Sequence, residues 1–255
     1  MSKIFIPTDR IGLESIQKSI SNTSKVLNEL LKRGVRIKWH LNGLCFEKTS
    51  IWPEGHYYQC GFSAESNEEI IELLRSYGMI WETVEAVPET KMEITASRIA
   101  LYNGRGAGAD FSAPLIEVLE QGGFSFTQLD DHEIREGKLS HFDIFLVPGS
   151  PDAGECYYAG LGKAGYEKIR EFLSGSGQYF GICGGAYLPL TSYDTQNPYW
   201  LDIVEATDTE GLDYWRTGSG FVRCRIEDNQ NPIFSSVALG GSSSLNLVYW
   251  EGPSI

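Results

Sequence analysis

Between Arg98 and Cys183, short apolar runs alternate with stretches of about ten residues suited to helices, and this rhythm is the feature that most constrains the fold. Ile99-Ala100-Leu101-Tyr102 reads as a short buried strand ending in the turn Asn103-Gly104-Arg105-Gly106-Ala107-Gly108. A helix is expected over 112–121, stopped by Gly122-Gly123, and a second strand over 124–129. Ile134 to Leu139 is a connector. Phe142-Asp143-Ile144-Phe145-Leu146-Val147 is a third strand, leading into Pro148-Gly149-Ser150-Pro151. A helix over 163–173 precedes the fourth strand, Gln178-Tyr179-Phe180-Gly181-Ile182, which ends at Cys183. Such alternation calls for a parallel sheet covered by helices on both faces, with function gathered at the C-terminal ends of its strands.

The 255 residues exceed a common single-domain length, and the sequence divides near the polar stretch Pro88-Glu89-Thr90-Lys91. Residues 1–96 read as a smaller α/β region, with strands over 3–7, 35–41 and 79–84, a short strand at Tyr57-Tyr58, and helices over 15–32 and 67–77. Leu27, Leu30 and Leu31 form part of the apolar face of the first helix, and Ser66 with Glu69 three residues on suggests the cap of the second. Residues 97–255 form the second domain. Beyond Cys183, strands over 220–226 and 244–250, with a turn at Asn231-Pro232, suggest a β-rich extension of it.

Lys and Arg number 21 against 34 Asp and Glu, a net charge of −13, which disfavours a nucleic-acid phosphate backbone as a partner. The densest basic group, Lys32, Arg33, Arg36 and Lys38, suits the end of a helix and the strand after it. No apolar run reaches the ~18 residues of a membrane span, and the N-terminus leads straight into a strand, so a cytoplasmic protein without membrane association is expected. The five cysteines, Cys45, Cys60, Cys156, Cys183 and Cys224, are odd in number and lack a C-x-x-C pair, which favours reduced thiols over a disulfide framework or a zinc site. No metal and no other cofactor is expected. Gly104 to Asp110 lacks the spacing of a dinucleotide loop and the lysine of a P-loop, and reads as a turn. Asp208, Glu210 and Asp213 read as a solvated turn rather than a cation site.

A strand running into Gly181-Ile182-Cys183-Gly184-Gly185 has the build of a nucleophile elbow, in which glycines permit a tight turn and leave the sulfur approachable. A helix starting directly after Cys183 would lower the thiol pKa, and the Gly184 N–H would be the first oxyanion donor. The same five residues also suit a small apolar residue at a strand end.

The order of elements, with Tyr102-Asn103-Gly104, Ile134-Arg135-Glu136-Gly137-Lys138-Leu139, Pro148-Gly149-Ser150, Gly181 to Gly185 and Tyr187, resembles the class I glutamine amidotransferase-like superfamily. Within it, the likeness is to the amidotransferase-like domain at the N-terminus of biotin-protein ligases, with a fainter match at Val248-Tyr249-Trp250-Glu251-Gly252-Pro253. The resemblance spans about residues 98–255 and implies a flavodoxin-like three-layer fold. It implies that Cys183 is the nucleophile and that the Gly149-Ser150 turn gives the second oxyanion N–H, since Pro151 has none. Asp152, Glu155 and Tyr187 are candidates to face a substrate. An amide or other small molecule, or a partner domain, is the expected ligand.

Cysteine amidases also need a base, and here the sequence is at odds with the superfamily, whose His-x-Glu follows the cysteine. None of the four histidines, His40, His56, His132 and His141, comes after Cys183. His141 precedes the third strand and belongs at the wrong end of the sheet. His132 follows the second strand, three strand spacings or roughly 14 Å from the cysteine strand in the order 2-1-3-4 that the resemblance implies, too far for direct proton transfer. Three readings result: a cysteine-dependent amidase-like domain, a catalytically silent ligand-binding or regulatory domain, and a chain truncated before its histidine strand.

Overall fold

The computed structural model describes residues 2–8, 16–41, 44–48, 54, 56–58, 60–89, 92–191, 198–206, 220–227 and 244–249. Two compact units emerge, one formed chiefly by residues 1–96 and the other chiefly by 97–222.

The first unit contains β1 (Lys3–Pro7), α1 (Ile16–Lys32), β2 (Ile37–His40), β3 (Leu44–Phe46), β4 (His56–Tyr58), β5 (Gly61–Glu65), α2 (Glu68–Ser76), β6 (Glu82–Val84) and β7 (Glu93–Ile94). Its sheet runs β6-β1-β5-β2-β7, and each strand pair with a resolved register is antiparallel. The two β-α-β units β1-α1-β2 and β5-α2-β6 therefore interleave, each leaving a gap that a strand of the other fills. This makes the region antiparallel with helices added, a departure from the simple α/β alternation read from its sequence. Ile4 and Ile6 face α1 and α2, packing with Val26, Leu30, Ile70 and Leu74, while Phe5 faces the other way onto Leu44, Phe46 and Tyr58. The cap of α2 is Asn67, whose side chain accepts the Ile70 N–H at 2.8 Å, and not Ser66.

The second unit holds β8 (Ile99–Tyr102), α3 (Ala109–Gln121), β9 (Phe126–Leu129), α4 (Asp131–Arg135), a 3-10 turn (Lys138–His141), β10 (Ile144–Val147), α5 (Ala153–Gly175), β11 (Gln178–Gly181) and α6 (Gly184–Tyr187). The four strands pair in parallel, as the sequence rhythm predicts, in the order β11-β10-β8-β9, which is 2-1-3-4 counted from β8. Alternate residues of a strand point to opposite faces. Ile99, Leu101 and Leu146 accordingly pack with Leu119 of α3 on one side, and Ala100, Tyr102, Phe145 and Val147 pack with Tyr157, Tyr166 and Ile169 of α5 on the other.

Several boundaries differ from expectation for physical reasons. The connector after β9 is the helix α4, started by a reciprocal capping box between Asp130 and Glu133. Helix α5 begins ten residues earlier than expected and is two helical pieces joined at Gly162, whose φ is 56°. The glycines that disguise it are packing requirements: a Cβ on Gly160 would lie 2.8 Å from Arg105 Cβ, and one on Gly154 2.8 Å from Tyr199 Cβ. The last strands, β12 (Gly220–Arg225) and β13 (Ser244–Tyr249), pair with each other as a separate two-stranded sheet instead of extending the parallel one.

Candidate active site

The ladder between β10 and β11 continues one residue past the strand, where the Ile182 N–H donates to the Val147 carbonyl at 3.0 Å. The chain then turns sharply at Cys183, with φ 53° and ψ −119°. A side chain in this region is strained by roughly 1–3 kcal/mol, and such residues persist only where the surroundings hold them. They are held here: the Gly185 N–H donates to Pro148 O at 3.0 Å and to Ile182 O at 2.9 Å, and the Ala186 N–H donates to Cys183 O at 2.8 Å. The helix after the cysteine, α6, is a single turn. It supplies backbone N–H groups but little of the macrodipole that the sequence reading invoked, because aligned peptide dipoles add up over several turns.

The glycines bring two loops into contact. A Cβ on Gly184 would lie 2.6 Å from Ser150 N, and a Cβ on Gly185 would collide with the Val147 carbonyl. A Cβ on Gly149 would lie 2.6 Å from Phe111 Cδ1 and 3.4 Å from Cys183 Cβ. Cys183, Gly184, Gly149 and Ser150 thus come together at the C-terminal ends of β10 and β11. Among the described residues, no hydrogen bond occupies the N–H of Gly149, Ser150 or Gly184. Phe111, at the start of α3, is a neighbour that the sequence did not reveal.

Two tyrosines also escaped sequence reading. Tyr157 of α5 donates its hydroxyl to Pro148 O at 2.5 Å, and Tyr179 of β11 donates to Gly185 O at 2.5 Å. Burial raises the pKa of both phenols, so each remains a donor at ordinary pH. The available signal was weak: a tyrosine in a buried position needs a partner for its hydroxyl, but the sequence does not say which.

The other candidates stand further out. Asp152 caps α5 from an exposed position; its backbone carbonyl accepts from Ser150 Oγ at 3.3 Å, while its side chain makes no capping bond. Glu155 lies in the exposed first turn of α5. Tyr187 is half-buried, its ring centroid 6.5 Å from that of Trp200. Trp200 belongs to a segment anchored on α5, where Arg170 donates to the Trp200 and Leu201 carbonyls and Tyr166 to the Tyr199 carbonyl. None of the three is tied to Cys183 by a hydrogen bond or ring contact in the described residues.

The histidines are equally dispersed. His132 lies in α4 after β9, at the opposite edge of the sheet from β11, with Glu136 3.6 Å away. His141 ends the turn that precedes β10, at the N-terminal end of the strands. His40 and His56 belong to the first unit, where His40 is buried with Nε2 2.8 Å from Ser63 Oγ. The Gly104 to Gly108 turn is tightly packed: Gly106, at φ 96°, approaches the backbone of Cys156 so closely that a Cβ would lie 2.6 Å from its carbonyl oxygen. Among the described residues no group of three or more His, Cys, Asp or Glu is placed to hold a metal, and no helix is long and apolar enough to cross a membrane. Asp208, Glu210, Asp213 and the stretch Trp250 to Pro253 lie outside the described residues. No protein-family model, curated protein or solved structure matches the chain.

Proposed function

We propose that residues 97–255 are a class I glutamine amidotransferase-like domain of flavodoxin-like build, in which Cys183 attacks the carbonyl of an amide or ester. The observation that carries the reading is the backbone of Cys183, a non-glycine residue held at φ 53° between a strand and a helix with open N–H groups around it. In this reaction the sulfur bonds to the carbonyl carbon, and the negative oxygen is stabilised by the Gly184 N–H and an N–H of the Gly149-Ser150 turn. The intermediate collapses by expelling the amine or alcohol, which takes up the thiol proton, and water then hydrolyses the thioester to a carboxylic acid and free thiol.

A second reading is a ligand-binding or regulatory domain of the same build without catalysis. Within the second unit the places of His132 and His141 favour it, since neither lies on β10 or β11 beside the cysteine. Two measurements decide between them. Iodoacetamide labelling across pH, resolved by mass spectrometry, should modify Cys183 faster than the exposed Cys45 and Cys224 if it is an activated nucleophile. Hydrolysis of small esters and amides should then disappear in Cys183→Ala. Labelling no faster than at the other thiols, with hydrolysis unchanged by the substitution, would leave the binding domain.

A further inference from the structure

Proline 148 and glycine 149 share one peptide group, and the structure grips one end of it. The Pro148 carbonyl accepts two hydrogen bonds, from Tyr157 Oη at 2.5 Å and from the Gly185 N–H at 3.0 Å. The peptide is trans, like every other described peptide bond. A trans peptide is planar with its C=O and N–H pointing in opposite directions, so fixing the carbonyl fixes the amide proton. The Gly149 N–H therefore points away from Tyr157 and the core behind it, and it has no acceptor among the described residues. At the adjacent Cα, the missing Cβ would stand 3.4 Å from Cys183 Cβ. The neighbouring donor faces the other loop: Ser150 is buried like Gly149, but its nitrogen lies only 2.6 Å from where a Cβ on Gly184 would stand.

We propose that Tyr157 is a positioning residue that, by holding the Pro148 carbonyl, aims the Gly149 N–H at the oxyanion formed on a substrate of Cys183, making Gly149 rather than Ser150 the second donor. This rests on Cys183 being the nucleophile. It assigns Tyr157 no contact with substrate. Its hydroxyl acts through one peptide plane.

The test compares two reactions of the same sulfur. With 4-nitrophenyl acetate, the sulfur adds to the carbonyl carbon, charge builds on the carbonyl oxygen, and collapse releases 4-nitrophenolate to leave a thioester, the thiol proton passing to buffer. With iodoacetamide, the sulfur displaces iodide at a methylene carbon, the thiol proton again going to buffer, and no oxyanion forms. Both rates are read at Cys183 by mass spectrometry in the full chain. Tyr157→Phe should slow acetylation about tenfold, a part of what losing a whole oxyanion donor costs, and leave alkylation within about twofold. Tyr102→Phe, which removes another hydroxyl from the same core, should leave the ratio of the two rates unchanged. An unaltered ratio in Tyr157→Phe, or the same drop in Tyr102→Phe, would overturn the proposal.

The unmodified chain gives an independent reading should the variant not fold: the ratio of acetylation to alkylation should be higher at Cys183 than at exposed Cys45, and equal ratios would count against preset donors. Failure of the nucleophile reading has its own signature, alkylation at Cys183 no faster than at Cys45 and Cys224, and is therefore distinguished from a failure in the ratio.

Discussion

Cys183 stores strain where the sequence puts its most distinctive pattern, and the strain can be measured. Its φ of 53° suits glycine far better than any residue with a Cβ. Cys183→Gly should therefore be more stable than Cys183→Ala by about 1 kcal/mol, even though glycine also makes the unfolded chain more flexible, and urea denaturation of the two variants reads the difference. The opposite order would mean that the surroundings relax when the sulfur is removed. Gly184→Ala tests the contact between loops: its Cβ would lie 2.6 Å from Ser150 N, so about 1–3 kcal/mol of stability should be lost along with the preferential alkylation of Cys183. These residues were legible because glycines crowded around a small residue mark close backbone approaches in any context. Tyr157 and Tyr179 were not legible, since the carbonyl each hydroxyl reaches is fixed only when helix, strand and loop have been assembled.

At the scale of elements, propensity located most strands and helices, and tertiary contacts decided their ends. Ser66 and Asn67 are both good caps by type, and Asn67 prevails because its side chain reaches the Ile70 N–H. Asn67→Ala should cost about 1 kcal/mol and Ser66→Ala only a few tenths, as read from the thermal or urea midpoint of each variant. Helix α5 was half hidden because Gly154 and Gly160 lower its local propensity while allowing Tyr199 and Arg105 to come close. Helix α4 is announced by the capping box of Asp130 and Glu133, a signal stronger than the apolar pattern of so short a helix. Strand β5 (Gly61–Glu65) escaped because its Gly-Phe-Ser-Ala-Glu sequence has only one large apolar residue, yet it is the central strand of its sheet.

At the scale of the molecule, the two units carry different acid sensitivities. Burial lowers the pKa of His40 in the first unit below its usual 6.5, with Lys38 and Lys3 adding to the effect. The unfolded chain then binds a proton that the folded one refuses. The stability His40 permits is complete above pH 6.5 and falls as pH drops from there toward the folded pKa. In the second unit, Arg98 donates to the Asp143 carboxylate and holds its pKa at about 2, against 3.8 without that partner. That contribution is present above pH 3.8 and is lost as pH falls toward about 2. Hydrogen exchange followed by mass spectrometry, corrected for the pH dependence of intrinsic exchange, should show protection of β1, β2 and β5 weakening as pH falls below 6.5, before that of β8 and β10. In His40→Gln the early loss should be absent while the low-pH loss in β8 and β10 persists, because the glutamine amide does not titrate. If β8 and β10 weakened first, or the variant kept the early loss, the titration would have to be assigned to groups other than His40.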